Sequence, residues 1–453
     1  MSEAATQMNQ KVEEMPGYKY TKLGWIPEEW ELVPVKLFGK VVTGSTPKTV
    51  NKEYYTGEFL FVSPADMNGV KYVERTEKRL SKSGYNTGRK INKGSPLFVS
   101  IGSTIGKTAI AGADLVTNQQ INAVVPNNDN SGEYLYYQLT LNNLRFKRIA
   151  GNQAVPILNK STFQSISIFR APLPEQQKIA QILSTWDKAI AKTEQLITKK
   201  QERKKGLMQQ LLTGKKRFKE FVKSDKMKET KLGWIPEDWQ VKKVSDVFDF
   251  LSTNSFSRSQ MHYDVSENSI YNIHYGDIHA TYKEAILDFN IEESVPIISD
   301  EIEISNSATF LNDGDVIIAD ASEDYKGVGE AIELKNINEK KVLAGLHTFA
   351  LRDKSSLTSI GFRAYIFKNP KVSKALKVIA TGSKVFGISK ANLQKFELIL
   401  PLIQEQQRIA YVFSSAIQEI SFLQNQLDRL KEQKKGLMQK LLTGEVRVKI
   451  NET

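Results

Sequence analysis

A stretch of about forty residues occurs twice in this chain of 453. The first copy reads EQQKIAQILSTWDKAIAKTEQLITKKQERKKGLMQQLLTG and ends at Gly214; the second reads EQQRIAYVFSSAIQEISFLQNQLDRLKEQKKGLMQKLLTG and ends at Gly444. A repeat at this distance means two copies of one larger unit. In the second copy Ile409, Phe413, Ala416, Ile420, Leu423, Leu427, Leu430, Lys434, Leu437 and Leu441 alternate steps of four and three, the seam of a coiled coil. The first copy puts Ile179, Leu183, Trp186, Ile190, Thr193, Ile197, Lys200, Lys204, Leu207 and Leu211 at the same steps. Neither stretch has an internal proline and both stop at Thr-Gly, where glycine suits a left-handed C-cap. Each helix should be roughly 60 Å long at 1.5 Å per residue. An isolated heptad stretch is as often an exposed spacer or an intermolecular coil, but two copies in one chain favour an intramolecular pair. The polar seam members Thr193, Lys200 and Lys204 either specify register or lie where another subunit packs; the second reading is preferred.

A second repeat marks where each unit begins. TKLGWIPEEW at 21–30 returns as TKLGWIPEDW at 230–239. Trp25, Pro27 and Trp30, with Trp234, Pro236 and Trp239, are expected to form proline-braced turns whose indoles seal a domain entry. Between each entry and its helix the sequence changes to short β-rich runs, such as EFLFVS and SPLFVSIG, punctuated by Gly, Asn, Pro and Ser. Framework positions agree between the copies: Asp66 with Asp277, Gly94 with Gly314, ILNKSTFQSI at 157–166 with GISKANLQKF at 387–396. The expected fold is α+β, with two mainly-β domains separated by two long helices that pair as a coiled coil. The expected boundaries are a loose arm (1–20), a first domain (21–170), a first helical region (171–216), a basic linker (217–229), a second domain (230–400), a second helical region (401–445) and a tail (446–453).

Composition narrows the partners. Lys+Arg 63 against Asp+Glu 51 leaves a net charge of +12, which favours a polyanion. The absence of cysteine excludes disulfides and thiolate metal sites and fits a reducing cytoplasm. No signal peptide is read at the N-terminus, and no apolar run approaches the roughly twenty residues needed to span a bilayer.

Enzymatic motifs are weak. GSTIGKT at 102–108 is one residue too short between its glycines for a phosphate-binding loop. Asp315, Asp324 and Lys326 loosely fit a metal-dependent nuclease pattern that the first repeat lacks. The four histidines, His262, His274, His279 and His347, all lie in the second half, and a strand through His274 and His279 would point them to opposite faces. Motifs that hold an amino group for methyl transfer are absent, and no catalytic or metal-ligating residue is assigned.

Two variable domains, each with a KLGWIPxxW-like entry and followed by an EQQ(K/R)IA helix ending KKGLMQxLLTG, resemble the specificity subunit of Type I restriction-modification systems. The resemblance runs from about residue 20 to 445, with one extra residue at the second junction, LPLIQEQQ against APLPEQQ. It implies a non-catalytic, sequence-specific subunit that binds double-stranded DNA. Residues 21–170 and 230–400 would be target recognition domains, each reading half of a bipartite asymmetric target. The helices would pair antiparallel, set the spacer and dock two adenine-N6 methyltransferase subunits. Restriction motor subunits complete such complexes, and S-adenosylmethionine, ATP and Mg2+ would belong to partners. The competing readings are a stand-alone nuclease or methyltransferase and a coiled-coil scaffold.

For DNA contacts the first domain offers the basic run Lys71, Arg75, Lys78, Arg79, Lys82, Arg89 and Lys90 with Tyr85 among them, suited to phosphates. Lys107 and the amides Asn118, Gln119 and Gln120 could read adenine or brace a strand. The second domain offers Arg258, His262, Tyr263, His274, His279 and Lys326. Helix pairing is assigned to Ile179, Leu183, Trp186, Ile190, Ile197, Leu207, Leu211, Ile409, Phe413, Ile420, Leu423, Leu427, Leu430, Leu437 and Leu441.

Overall fold

The computed structural model describes residues 15–151, 153–325, 327–382 and 385–450. Two unbroken helices, Leu173–Leu212 and Ile403–Leu442, carry the heptad seams. The chain divides into two compact units, one of Met1–Glu194 with Asn425–Thr453, the other of Gln195–Gln424. Each unit therefore holds one β-rich domain, the first half of the helix that follows it, and the second half of the other helix.

In the first unit, a five-stranded sheet runs in the order Gly39–Thr43, Ile121–Pro126, Pro96–Val99, Thr108–Ala111 and Tyr72–Val73. A four-stranded sheet of Lys78–Leu80, Phe59–Val62, Leu115–Thr117 and Lys90–Ile91 packs on one face of it. Side-chain alternation explains the layering. From the central strand, Leu97 and Val99 enter the core between the sheets, whereas Phe98 enters a second core under the helices Gly132–Leu141, Asn143–Ala150 and Lys160–Ser165. Ile179, Leu183 and Leu441 of the long helices close that second core. The two helix segments run antiparallel here: Asp187 lies 2.5 Å from Lys434 and Glu194 lies 2.7 Å from Lys431.

The second unit repeats the plan with Phe248–Leu251, Thr348–Asp353, Val316–Ala319, Ala331–Lys335 and Ile286–Asp288 in the five-stranded sheet. Ile317 and Ala319 face the inter-sheet core, and Val316 and Ile318 face the helical one, which Leu211, Ile409 and Phe413 complete. The smaller sheet keeps the parallel pair Ile270–Ile273 with Lys341–Ala344, and its edge strands differ from those of the first domain. The central framework is shared and the periphery is where the copies diverge.

The three repeated motifs meet in each unit. In the first, the Trp30 indole donates to Glu175 of the EQQ motif (3.3 Å), and Arg447, three residues past Gly444, donates to the same carboxylate (3.0 Å). In the second, Trp239 and Arg217 both donate to Glu405 (2.9 Å each). The neighbouring glutamines are buried too: Gln176 accepts from the Ser131 backbone N–H and Gln406 from that of Ser359, 2.8 and 2.9 Å. Gln138 donates to the Leu442 carbonyl (2.8 Å) and Asn369 to that of Leu212 (2.5 Å), so each helix C-terminus is capped by a domain side chain. Gly214 and Gly444 take φ of 72° and 75°, and a Cβ there would lie 2.6 and 2.4 Å from Pro236 and Pro27.

Four expectations need correction. Residues 1–14 of the expected arm lie outside the described residues, but Tyr18–Thr21 is a strand paired with Gly24–Pro27, and the Tyr18 hydroxyl donates to the Gly444 carbonyl. The basic linker is not merely a tether, because Arg217 is a buried clamp and Met227–Lys228 pairs with Ile235–Pro236. Of the entry indoles, Trp30 and Trp239 are buried, whereas Trp234 is exposed. The seam lysines are paired within the chain, Lys200 with Glu419 (2.5 Å) and Lys204 with Glu284 (2.6 Å), and Thr193 bonds the carbonyl of Ala189, so these positions are not vacant ground for another subunit.

Candidate nucleic-acid interface

In each domain a subset of the polar residues singled out in the sequence lies on loops and short helices beside the shared strands, in the first domain Arg89, Lys107, Asn118, Gln119 and Gln120. In the first domain the loop between Leu115–Thr117 and Ile121–Pro126 carries the amides. Asn118 donates to Gln120 Oε1 (2.9 Å), the Gln120 backbone N–H donates back to Asn118 Oδ1 (3.1 Å), and Gln120 reaches the Ile101 carbonyl (3.5 Å). These two brace the turn, while exposed Gln119 accepts from Thr46 (2.5 Å). Lys107, at the end of the glycine loop, donates to Asn68 on the next loop. Arg89 joins the same rim through the Thr43 carbonyl (2.9 Å).

The basic run does not act as one surface. Lys71 is nearly buried: its ammonium donates to the Tyr137 hydroxyl (2.8 Å) and Ser184 (3.2 Å) and pairs with Asp187 (3.4 Å), fixing the domain to its helix. Arg75, Lys78, Arg79, Lys82 and Lys90 are exposed. Lys78 and Arg79 point to opposite faces of an edge strand. Lys90 sits 5.2 Å over the Tyr85 ring, which itself stacks on Phe59 at 4.5 Å.

In the second domain the corresponding end is built from imidazoles and phenols. His274 is the N-cap of the short helix Tyr275–Ala280, so His274 and His279 do not lie on a strand and do not point to opposite faces of one. His274, His279 and His347 all flank the Tyr275 ring, at 4.5, 6.0 and 5.3 Å. The Gly276 backbone N–H donates to His274 Nδ1 (3.1 Å), which leaves Nε2 as the donor in the neutral ring. Burial pushes the His274 imidazole below its usual pKa; Asp277 opposes this, and Arg258 and His347 add to it. His279 Nε2 lies 3.1 Å from the Ala321 carbonyl, and His347 Nδ1 3.3 Å from Asp320. Arg258 pairs with buried Asp277 (3.0 Å) and lies over the ring of exposed Tyr263 (5.5 Å). His262 Nδ1 accepts from the Asp264 backbone N–H (3.2 Å). Lys326 lies outside the described residues.

Backbone bonds establish which positions correspond. Ser100 N–H donates to the Gln120 carbonyl (2.7 Å), and Asp320 N–H to that of His347 (3.0 Å). Gln120 and His347 thus occupy one framework position with different chemistry. Likewise Asp66 and Asp277 cap the loop after equivalent strands, and Gly94 and Gly314 both take positive φ before the central strand. Tyr275 and Asp320 carried no sequence signal and His347 entered only as one of four histidines, because nothing local in the chain brings the three together.

A nuclease reading finds no support in the geometry. The Asp315 carboxylate is buried, taken by Arg352 (2.6 Å) and the Asn312 backbone N–H (2.7 Å), and Asp324 accepts from the Gly327 backbone (2.6 Å). Among the described residues no group of His, Asp or Glu is placed to hold a metal ion, and no helix is long and apolar enough to cross a membrane.

The family model described as the Type I restriction modification DNA specificity domain matches this chain twice, over residues 27–201 and 236–432. Among curated proteins, the Type I restriction enzyme MjaVIII specificity subunit of Methanocaldococcus jannaschii is 27% identical over 432 residues, covering 94% of each chain. Among solved structures, the S subunit of a Type-I restriction-modification system from M. genitalium has a TM-score of 0.53 at 14% identity, covering 95% of this chain and 99% of that one. A chain from work on complex assembly and conformational transition of the type I R-M system gives a TM-score of 0.56 at 16% identity, covering 93% and 99%. At these identities the structural likeness is one of fold.

Proposed function

Because the chain belongs to the Type I restriction-modification DNA specificity family, we propose that its two recognition domains each read one half of a split, asymmetric DNA target through the loop ends described above. What carries the reading is one framework with different chemistry at the same position, Gln120 in the first domain and His347 in the second. Diverged loop ends on a shared scaffold fit two half-sites of different sequence. Exposed Arg75, Lys78, Arg79, Lys82, Arg89 and Lys90 would neutralise phosphates, and Lys107 with Gln119 would lie at the groove. In the second domain Arg258 would meet a phosphate, and His262, Tyr263, His274, His279 and His347 would offer polar contacts to the groove. Asn118 and Gln120 would present whatever amide edges their mutual bonds leave.

On this reading the chain carries no chemistry of its own. Two adenine-N6 methyltransferase subunits dock on it, S-adenosylmethionine is held by them, and the ATP- and Mg2+-dependent motor belongs to separate restriction subunits. The paired helices set the gap between half-sites, and the protein works in the cytoplasm. Coexpression with the neighbouring methyltransferase subunit and single-molecule mapping of methylated adenines tests this. A split motif with a fixed gap is expected. A stable, active complex that leaves no such motif would favour a scaffold.

A further inference from the structure

Both domains end their reading edge in the same small loop, and that loop carries the same exposed residue. Leu158 N–H donates to the Ser100 carbonyl (2.8 Å), Ile101 bridges Ile157, and Gly102 N–H donates to the Pro156 carbonyl (3.0 Å). In the second domain Ile388 N–H donates to Asp320 (2.8 Å), and Ala321 and Ser322 pair with Gly387 and Phe386. One residue further out stand Val155 and Val385, 55% and 54% exposed. A single exposed valine needs no explanation. Two at one framework position do, since the loops around them share little: Pro156 and Ile157 in one, Phe386 and Gly387 in the other. The backbone bonds hold each tip in place without burying its side chain, so core packing does not account for the valine.

A feature kept in both loops answers to something common to both half-sites. Resting on the reading above, each half-site differs in sequence but must contain the adenine that is methylated, and therefore a thymine. We propose that Val155 and Val385 each contact the C5 methyl of a thymine in the major groove of their own half-site, an apolar contact beside the polar readers Gln120 and His347. The C5 methyl is the one apolar group that the major-groove edge of an A·T pair presents, and a branched aliphatic tip is its complement.

The test uses the full chain copurified with its methyltransferase partner and a duplex carrying the mapped target. Val155→Ser and Val385→Ser are compared on normal duplex and on duplex with deoxyuridine replacing every thymine of one half-site. Val155→Ser is expected to weaken binding about fourfold and to become indifferent to deoxyuridine in the first half-site while remaining sensitive in the second. Val385→Ser should behave as its mirror image. Penalties that simply multiply would show that valine and methyl do not touch, overturning the proposal. Unchanged DNA affinity with loss of the methyltransferase subunit on gel filtration would assign the tips to a protein partner instead. Gln119→Ala, at an exposed amide of the same loop, and His347→Ala serve as the control. If they too leave affinity and half-site preference intact, the DNA-facing assignment of this edge fails; if they lower affinity and the valine variants do not, only the valine contact fails.

Discussion

Arg217 donates from Nε and Nη2 to the two oxygens of Glu405, at 2.9 and 2.8 Å, and the Trp239 indole shares that carboxylate. Asp238 completes the arrangement on the guanidinium at 2.8 Å. Arg447, Glu175, Trp30 and Glu29 form the same knot in the first unit. Each knot joins the domain entry, the start of that domain's own helix and the segment following the end of the other helix. That convergence is why three separate motifs repeat so closely in a chain whose domains otherwise diverge.

The two knots differ in burial, which ranks their variants. The Arg217 side chain is 7% exposed and that of Arg447 is 38%. Removing one partner from a buried pair strands the other charge and costs about 3–5 kcal/mol. Arg217→Ala should therefore lower the thermal midpoint of the second unit markedly, and Arg447→Ala should lower that of the first by less. Differential scanning calorimetry would resolve them, and equal losses would contradict the ranking.

The paired helices and the two-domain plan were legible because heptads and capping glycines are local signals. All fifteen residues assigned to the helix seam are buried or half-buried. The edge proposed to face DNA was only partly legible. Gln119, Lys107 and Arg89 lie on it, but Lys71, indistinguishable in sequence from its basic neighbours, is drawn into the domain by Asp187 more than a hundred residues away. His347 and Asp320 meet through strand register, which composition does not encode. Arg217 looked like one more linker cation because its partner, Glu405, comes from the far end of the chain.

Glu333 gives the second domain a pH dependence. It lies in the central sheet, where its carboxylate accepts from the Gly361 and Ala364 backbone N–H groups. Burial pushes its pKa from 4.5 up to about 7, although those bonds and Arg363 oppose the shift. The folded state holds the proton more tightly than the unfolded chain, so this group's contribution is greatest below pH 4.5 and falls as pH rises towards 7. Glu333→Gln should remove that slope, worth about 3 kcal/mol across the window. Urea denaturation of the two proteins at pH 4.5, 6 and 8 would check it, and parallel slopes would count against the assignment.

Phosphate contacts and structural cations should separate in salt titrations. Neutralising Arg79, Lys82 or Lys90, all exposed, should weaken DNA binding across sequences and reduce the log–log salt slope by about one per contact. Lys71→Met should instead lower stability and leave the slope unchanged, because its ammonium is already paired. Anisotropy titrations at several salt concentrations distinguish these outcomes.

The helices offer a test of how the target gap is set. Thr193 and Leu423 lie just before the points at which the chain passes between its two compact units, Glu194 to Gln195 and Gln424 to Asn425. Outside those points lie the charge pairs Asp187–Lys434 and Lys200–Glu419, so extra turns inserted between them keep these pairs and give up the Glu194–Lys431 pair at the boundary. Four residues added after Thr193 and after Leu423 extend each helix by about one turn, roughly 6 Å, close to two base-pair steps. If the helices set the distance between half-sites, the mapped motif should keep both half-sites and lengthen its gap by one or two base pairs. An unchanged gap with full methylation would show that the spacing is fixed elsewhere, and a change in either half-site would show that reading and spacing are not separate properties of this fold.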